Sequence, residues 1–270
     1  MDFRLFMDEV WAGAYQATQR AVRERFPEVR MSFTNPYRFD SLSGVDFARW
    51  VPHEQLLLRY CHRHVMDRNR SWTDAPIVSW FGYRRSAQEA GHFLWWFALN
   101  GGVVALWWDP LEPWAYSGAE GFTAWQMCDP LWRPTPRSQA VTAAAADLQA
   151  GIGKLLRVAA PSAPEALVVH SQASLHTLYA LAAFPAGKPT PAAWDAYLAA
   201  DDALAAALKR RGLSYRYILP TDLTDSDLSR VRLIVLPGCV ALSDAQAAGL
   251  QRYVAAGGAL LADLMPGSHD

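Results

Sequence analysis

Along the first 26 positions, Phe3, Phe6, Val10, Trp11, Ala14, Tyr15, Thr18, Ala21 and Val22 recur close to the 3.6-residue period of an α-helix. The stripe predicts an amphipathic helix over 3–26, followed after Pro27 by a short strand at 29–33. Further on, 45–50 reads as helix and 55–60 as strand, while Pro76-Ile77-Val78-Ser79-Trp80 is an apolar run too short for a helix. Helical spacing returns over 86–100, with Ser86 as N-cap and Glu89 as its capping-box partner. Gly101-Gly102 then introduces a continuous apolar strand at 103–108, and 138–156 predicts one long helix. Strands that are apolar on both faces and alternate with helices imply a parallel sheet covered by helices.

The pattern is plainer after residue 160. Strands are predicted at 166–170, 215–219, 233–236 and 259–264, and helices at 192–211 and 243–256. Gly212 and Gly257 stop those helices, and Ser243 with Gln246 opens the last one. This is the grammar of an open, doubly wound domain of flavodoxin-like type. Composition marks the join: eleven of the twelve tryptophans fall within 1–132, whereas 139–210 is crowded with alanine. Ala159-Ala160-Pro161-Ser162-Ala163-Pro164 forbids a continuing helix. Two domains follow, over 1–158 and 165–270.

With 25 basic and 26 acidic residues, the chain has no cation excess to hold phosphates or an anionic bilayer. Neither nucleic acid nor membrane is an expected partner. Met1-Asp2-Phe3-Arg4 opens no secretory segment and no later run is long and apolar enough to span a bilayer. Cys61, Cys128 and Cys239 are odd in number and far apart, which fits a reducing cytoplasm better than a disulfide framework. No HExxH, GxGxxG or GxxxxGK[ST] spacing occurs, and Cys61-His62-Arg63-His64 reads as a solvated turn, so no metal or cofactor is expected. Leu236-Pro237-Gly238-Cys239-Val240-Ala241 is reminiscent of a nucleophile elbow, but it lacks the second glycine and a nearby histidine. An unactivated thiol is a poor nucleophile.

The strongest chemical signal is aromatic: Trp80-Phe81-Gly82-Tyr83, Trp95-Trp96, Trp107-Trp108-Asp109 and Trp114-Ala115-Tyr116. Sugars present apolar CH faces and hydroxyl edges, which indole rings and a few carboxylates can match. Trp95 and Trp96 lie inside a predicted helix and read as core. Trp80, Trp107 and Trp108 close apolar strands, and the carboxyl ends of such strands are where α/β sites are built. The candidate substrate-binding residues are therefore Trp80, Tyr83, Trp107, Trp108, Asp109 and Asn35, the last following the 29–33 strand. Glycosidases generally need two carboxylates flanking the scissile bond. No such pair stands out, since Glu89 is a cap and Glu54, Glu112 and Glu120 lack strand-end positions, so no catalytic residue is assigned.

Several segments together resemble a known family. Val29-Arg30-Met31-Ser32-Phe33-Thr34-Asn35, Phe47-Ala48-Arg49-Trp50, Trp80-Phe81-Gly82-Tyr83 and Gly101-Gly102-Val103-Val104-Ala105-Leu106-Trp107-Trp108 are similar to the later barrel strands of β-galactosidases of glycoside hydrolase family 42. Gly151-Ile152-Gly153-Lys154-Leu155-Leu156, His170-Ser171-Gln172-Ala173-Ser174, Leu236-Pro237 with Ala241-Leu242-Ser243-Asp244, and Gly257-Gly258-Ala259-Leu260-Leu261-Ala262-Asp263 resemble the trimerisation domain that follows. That domain is similar in fold to class I glutamine amidotransferases without their chemistry.

The resemblance implies the C-terminal half of a (β/α)8 TIM-type barrel followed by a flavodoxin-like doubly wound domain. It also implies a carbohydrate substrate, β-galactosidase-type hydrolysis with retention, and a homo-oligomer, a trimer by analogy. Residues 1–158 hold about four strand–helix units against the roughly 250 residues of a full barrel, so the family's acid/base strand would precede Met1. The chain is expected to be a fragment, inactive alone. The family's nucleophile is a glutamate, yet the matching Ile77-Val78-Ser79-Trp80-Phe81-Gly82-Tyr83 has none. A non-catalytic carbohydrate-binding or oligomerisation protein on the same fold is the alternative.

Overall fold

The computed structural model describes residues 2–33, 45–60, 63–81, 86–107, 127–129, 131–159, 162–183, 191–225, 227–263 and 265–269. Their strands form two wholly parallel sheets. In the first, β1 (Leu57–Tyr60), β2 (Ile77–Phe81) and β3 (Gly102–Trp107) lie in that order. In the second, β4 (Ala166–Val169), β5 (Tyr215–Ile218), β6 (Leu233–Leu236) and β7 (Ala259–Ala262) are ordered β5-β4-β6-β7.

Parallel neighbours need crossovers. They are supplied by α3 (Arg63–Trp72) and α4 (Ala87–Leu99) in the first sheet. In the second they are α7 (Gln172–Ala183), α8 (Pro191–Arg210), the short α9 (Asp222–Asp225) and α10 (Asp244–Ala255). The predicted capping boxes hold: Ser86 and Glu89 bond each other's backbone at the start of α4, as do Ser243 and Gln246 at α10.

Three sequence expectations change. Helix α1 (Asp2–Arg25) forms, but most of its predicted apolar face points outward: Phe3, Phe6, Val10 and Trp11 are 66%, 58%, 43% and 40% exposed. The buried face carries Asp8, Ala12, Tyr15 and Gln19. Specific partners select it. Asp8 meets His176 of α7 at 2.7 Å, Gln19 donates to the His53 carbonyl at 2.6 Å, and Tyr15 stacks on Trp50 with ring centroids 5.4 Å apart.

No strand forms over 29–33. Side chains hold that segment beside β1 instead. Ser32 Oγ accepts from Leu58 N at 2.7 Å, Glu54 Oε1 accepts from Phe33 N at 3.0 Å, and Arg59 Nη1 donates to the Phe33 carbonyl at 2.7 Å. Arg59 and Glu54 are themselves a fully buried ion pair.

The single helix expected over 138–156 is broken. α5 (Pro136–Asp147) and α6 (Gly153–Val158) flank a wide turn at Leu148–Ile152, where Gly151 takes φ 135°, a conformation open essentially to glycine.

Helices α3 and α7 escaped the periodicity. Arg63-His64-Val65-Met66-Asp67-Arg68-Asn69-Arg70-Ser71-Trp72 has too few apolar positions to signal burial, yet α3 is the seam between the two sheets. Arg68 forms a buried ion pair with Asp201 of α8, and its guanidinium carbon lies 4.8 Å from the Tyr217 ring centre. Tyr217 donates its hydroxyl to Asp201 at 3.2 Å and its backbone N–H to Ser71 Oγ at 2.8 Å. Asp67 accepts from Lys209 at 3.0 Å and from the Tyr215 hydroxyl at 2.5 Å. Trp72 packs against the cores of both sheets.

Two glycines on helices test the packing in opposite directions. A Cβ on Gly249 of α10 would stand 2.3 Å from the backbone oxygen of Leu223, whereas one on Gly13 of α1 would meet nothing within 4 Å. Gly249→Ala is expected to destabilise the protein by about 1–3 kcal/mol. Gly13→Ala should stabilise it by roughly 0.5–1 kcal/mol through helix propensity. Urea denaturation of both variants checks the pair.

Candidate functional site

Side chains along a strand alternate between faces, so the register of the first sheet divides its residues sharply. Leu57, Ile77, Ala105 and Trp107 belong to one core with Val65 and Met66 of α3, Ala90, Leu94 and Phe97 of α4, and Val141 and Ala144 of α5. The alternate positions turn away from those helices. Tyr60 is opposite Trp80 on the neighbouring strand, Trp80 is opposite Leu106, and Val78 is opposite Val104. Trp80 and Tyr60 are half-buried, and Val104 is 43% exposed. An aromatic pair thus sits on the face opposite those helices, at the carboxyl ends of β1 and β2.

Register also separates two of the expected sugar-binding residues. Trp107 pairs with Phe81, one position beyond Trp80, and therefore points to the helix side. There the Arg137 guanidinium of α5 lies 5.6 Å from its ring centre. Trp80 and Trp107 do not share a face. Tyr83, Trp108, Asp109 and Asn35 lie outside the described residues. Tyr60 was missed, although it ends an apolar strand as Trp80 does. Trp95 and Trp96 pack partly buried against the core, as expected of a helical stripe.

Carboxylates are absent from β1, β2 and β3 themselves, whose sequences are Leu-Leu-Arg-Tyr, Ile-Val-Ser-Trp-Phe and Gly-Val-Val-Ala-Leu-Trp. Glu54, just before β1, is committed to Arg59 and to Phe33 N. Glu89 caps α4. No cluster of three or more His, Cys, Asp or Glu suited to a metal ion occurs among the described residues. Among them, too, no helix is long and apolar enough to cross a membrane.

In the second sheet, doubly wound domains offer a ligand crevice beyond the carboxyl ends of the strands where the order reverses. Here that place, beyond β4 and β6, is closed by the chain itself. Ser174 Oγ accepts from Ala241 N at 3.0 Å and donates back to the Ala241 carbonyl at 3.3 Å. His269 pairs its backbone with Val240 and Leu242, and Gly267 N donates to the Cys239 carbonyl at 3.0 Å. Cys239 is fully buried, its sulfur 3.7 Å from the Val169 and Pro237 carbonyl oxygens. Burial, with Asp263 nearby, pushes its thiol up to about 12. A protonated, inaccessible thiol does not attack. Iodoacetamide at pH 8 is therefore expected to leave Cys239 unmodified in the folded protein and to label it in urea; peptide mass spectrometry reads both, and native labelling of Cys239 would refute the closed crevice.

No family model matches the chain, and no curated protein matches it. Solved structures do. A β-galactosidase from the Antarctic haloarchaeon Halorubrum lacusprofundi superposes with TM-score 0.72 at 16% identity, covering 97% of this chain and 42% of that one. A β-galactosidase from Rahnella sp. R3 gives TM-score 0.71 at 14% identity, over 98% of this chain and 40% of that one. An exo-carrageenase of glycoside hydrolase family 42 from Bacteroides ovatus gives TM-score 0.67 at 13% identity, over 100% and 39%. The chain spans about two fifths of the length of these structures. What it shares with them is a fold, and in fold it is β-galactosidase-like, with the likeness running through both sheets.

Proposed function

We propose that the first sheet is the later part of a glycosidase-type (β/α) barrel and that its face opposite α3, α4 and α5 binds a sugar ring. The ligand class is a β-galactoside or a related oligosaccharide. Trp80 and Tyr60 supply the stacking surface, and Tyr83, Trp108, Asp109 and Asn35 remain candidates for its rim. The juxtaposition of Tyr60 and Trp80 at adjacent strand ends carries this reading, because barrel sites are built at that end of the strands. Trp107 is reassigned to support, since it packs among the helices.

Retaining hydrolysis uses two carboxyl groups roughly 5 Å apart, one as acid/base and one as nucleophile. None is carried on β1 to β3, so turnover requires carboxylates from outside these strands. That favours binding without hydrolysis by the 270-residue chain. The second sheet, in this proposal, is a flavodoxin-like domain whose role is assembly. Its edge strand β7 leaves Leu260 and Leu261 40% and 47% exposed, and an uncovered edge favours association with another copy.

Calorimetry with methyl β-galactoside separates the parts of this proposal. Binding is expected without hydrolysis of an aryl galactoside. Trp80→Ala should weaken binding by the folded fraction roughly three- to tenfold, the range for loss of one aromatic stack. Trp107→Ala should instead lower stability by about 2–3 kcal/mol and leave the affinity of the folded fraction intact. Absence of binding by the wild-type chain, or equal affinity after Trp80→Ala, would remove the sugar face.

A further inference from the structure

The second sheet is closed beyond the carboxyl ends of β4 and β6, but at the amino ends of β6 and β7 it is open. Between α9, α10 and the segments that lead into those two strands lies a cavity of about 480 Å³, within the size range of small-molecule sites. Its walls are fixed by the packing. Gly249 lets α10 approach α9 so closely that a Cβ there would stand 2.3 Å from the Leu223 carbonyl oxygen, and the Tyr253 ring lies against Gly258. The Tyr253 hydroxyl donates to the Val231 carbonyl at 3.2 Å. Leu223, Leu228 and Val231 add apolar surface.

Two guanidiniums, those of Arg232 and Arg252, line this cavity, and among its described lining residues there is no carboxylate. Glu165 meets Arg232 at 3.4 Å in an exposed pair, of a kind that contributes little. Asp227, next to Leu228, accepts from Ser229 N at 3.0 Å. Among the described residues Arg252 has no ion-pair partner. The carbonyls at the end of α10, which would repel an anion, are taken by the chain: Gly257 N donates to Val254 at 2.9 Å and Gly258 N to Tyr253 at 3.0 Å. Positive charge is therefore in excess beside apolar walls.

We propose that this cavity binds a phosphomonoester, with Arg232 and Arg252 holding the phosphate and the organic body lying against Leu223, Leu228 and Tyr253. Guanidinium forks match phosphate oxygens with paired N–H donors, and a dianion answers two cations where a monocarboxylate answers one. The cavity is larger than a bare phosphate fills, so the body takes part in recognition. The site belongs to the second sheet and does not depend on the sugar face of the first.

Calorimetry of the full chain with phenyl phosphate tests this. Saturable one-to-one binding is expected, with inorganic phosphate weaker by roughly tenfold or more for want of the buried ring. Arg252→Gln should weaken phenyl phosphate roughly tenfold or more, the range for loss of a charged hydrogen bond. Arg252 is exposed, so its replacement leaves the fold intact; Arg210→Gln, at the exposed end of α8, should leave the affinity unchanged. Absence of binding would overturn the proposal. Equal weakening by the two substitutions, or equal affinity for the two phosphates, would mean an adventitious ion only and would overturn it as well. Benzoate binding as tightly as phenyl phosphate would refute the choice of phosphate.

Discussion

Arg68 is fully buried, and a buried guanidinium is tolerated only when its charge is met and its donors are used. Asp201 meets the charge and the Tyr217 ring covers a face. The geometry ties α3, which belongs to the first sheet's crossover, to α8 and β5 of the second. Removing one partner strands the other without water. Such a pair adds little net stability compared with apolar residues of the same shape, but it admits few alternative arrangements. The two sheets share no strand, so their relation rests on contacts of this kind, with Asp8 and His176 making another between α1 and α7.

That constraint reaches the candidate sugar face through α3. The same helix that fixes the second sheet with Asp67, Arg68 and Ser71 places Val65 and Met66 beneath β1 and β2. With the helix side of the sheet filled, the period of two leaves Tyr60 and Trp80 on the other. Trp107, one register step away, becomes part of the floor. An aromatic residue near the end of a strand is thus not enough to nominate a ligand contact; its parity relative to the buried residues decides, and here Ile77 and Leu57 set that parity.

Much of the fold was legible from pattern alone, since all seven strands of the two sheets fall within segments that read as strands and the caps Ser86 and Ser243 open their helices as expected. What stayed hidden has one cause. Wherever polar side chains do the packing, hydrophobic periodicity misleads: α3 carries no apolar stripe that marks a helix, α1 has an apolar stripe that is not its buried face, and 29–33 has its bonds taken by Ser32, Glu54 and Arg59. Burial of paired polar groups is specified by partners distant in sequence, such as Asp8 with His176, and no local window contains both. Of the aromatic pair, Trp80 stood out in the sequence, while Tyr60 depended on a register between strands.

The two sheets then differ in what they leave available. Beyond β4 and β6, backbone pairing with His269 and the reciprocal bonds of Ser174 and Ala241 occupy the polar groups that a ligand would need. A fold of this type binds at its strand ends because unsatisfied backbone groups and helix N-termini meet there; once those groups bond within the chain, the driving force for a ligand at that place is lost. Polar closure at one sheet contrasts with the aromatic pair that β1 and β2 carry on the face opposite α3 and α4 of the other. The second sheet bears on that pair through α3, by holding in place the helix on which β1 and β2 rest.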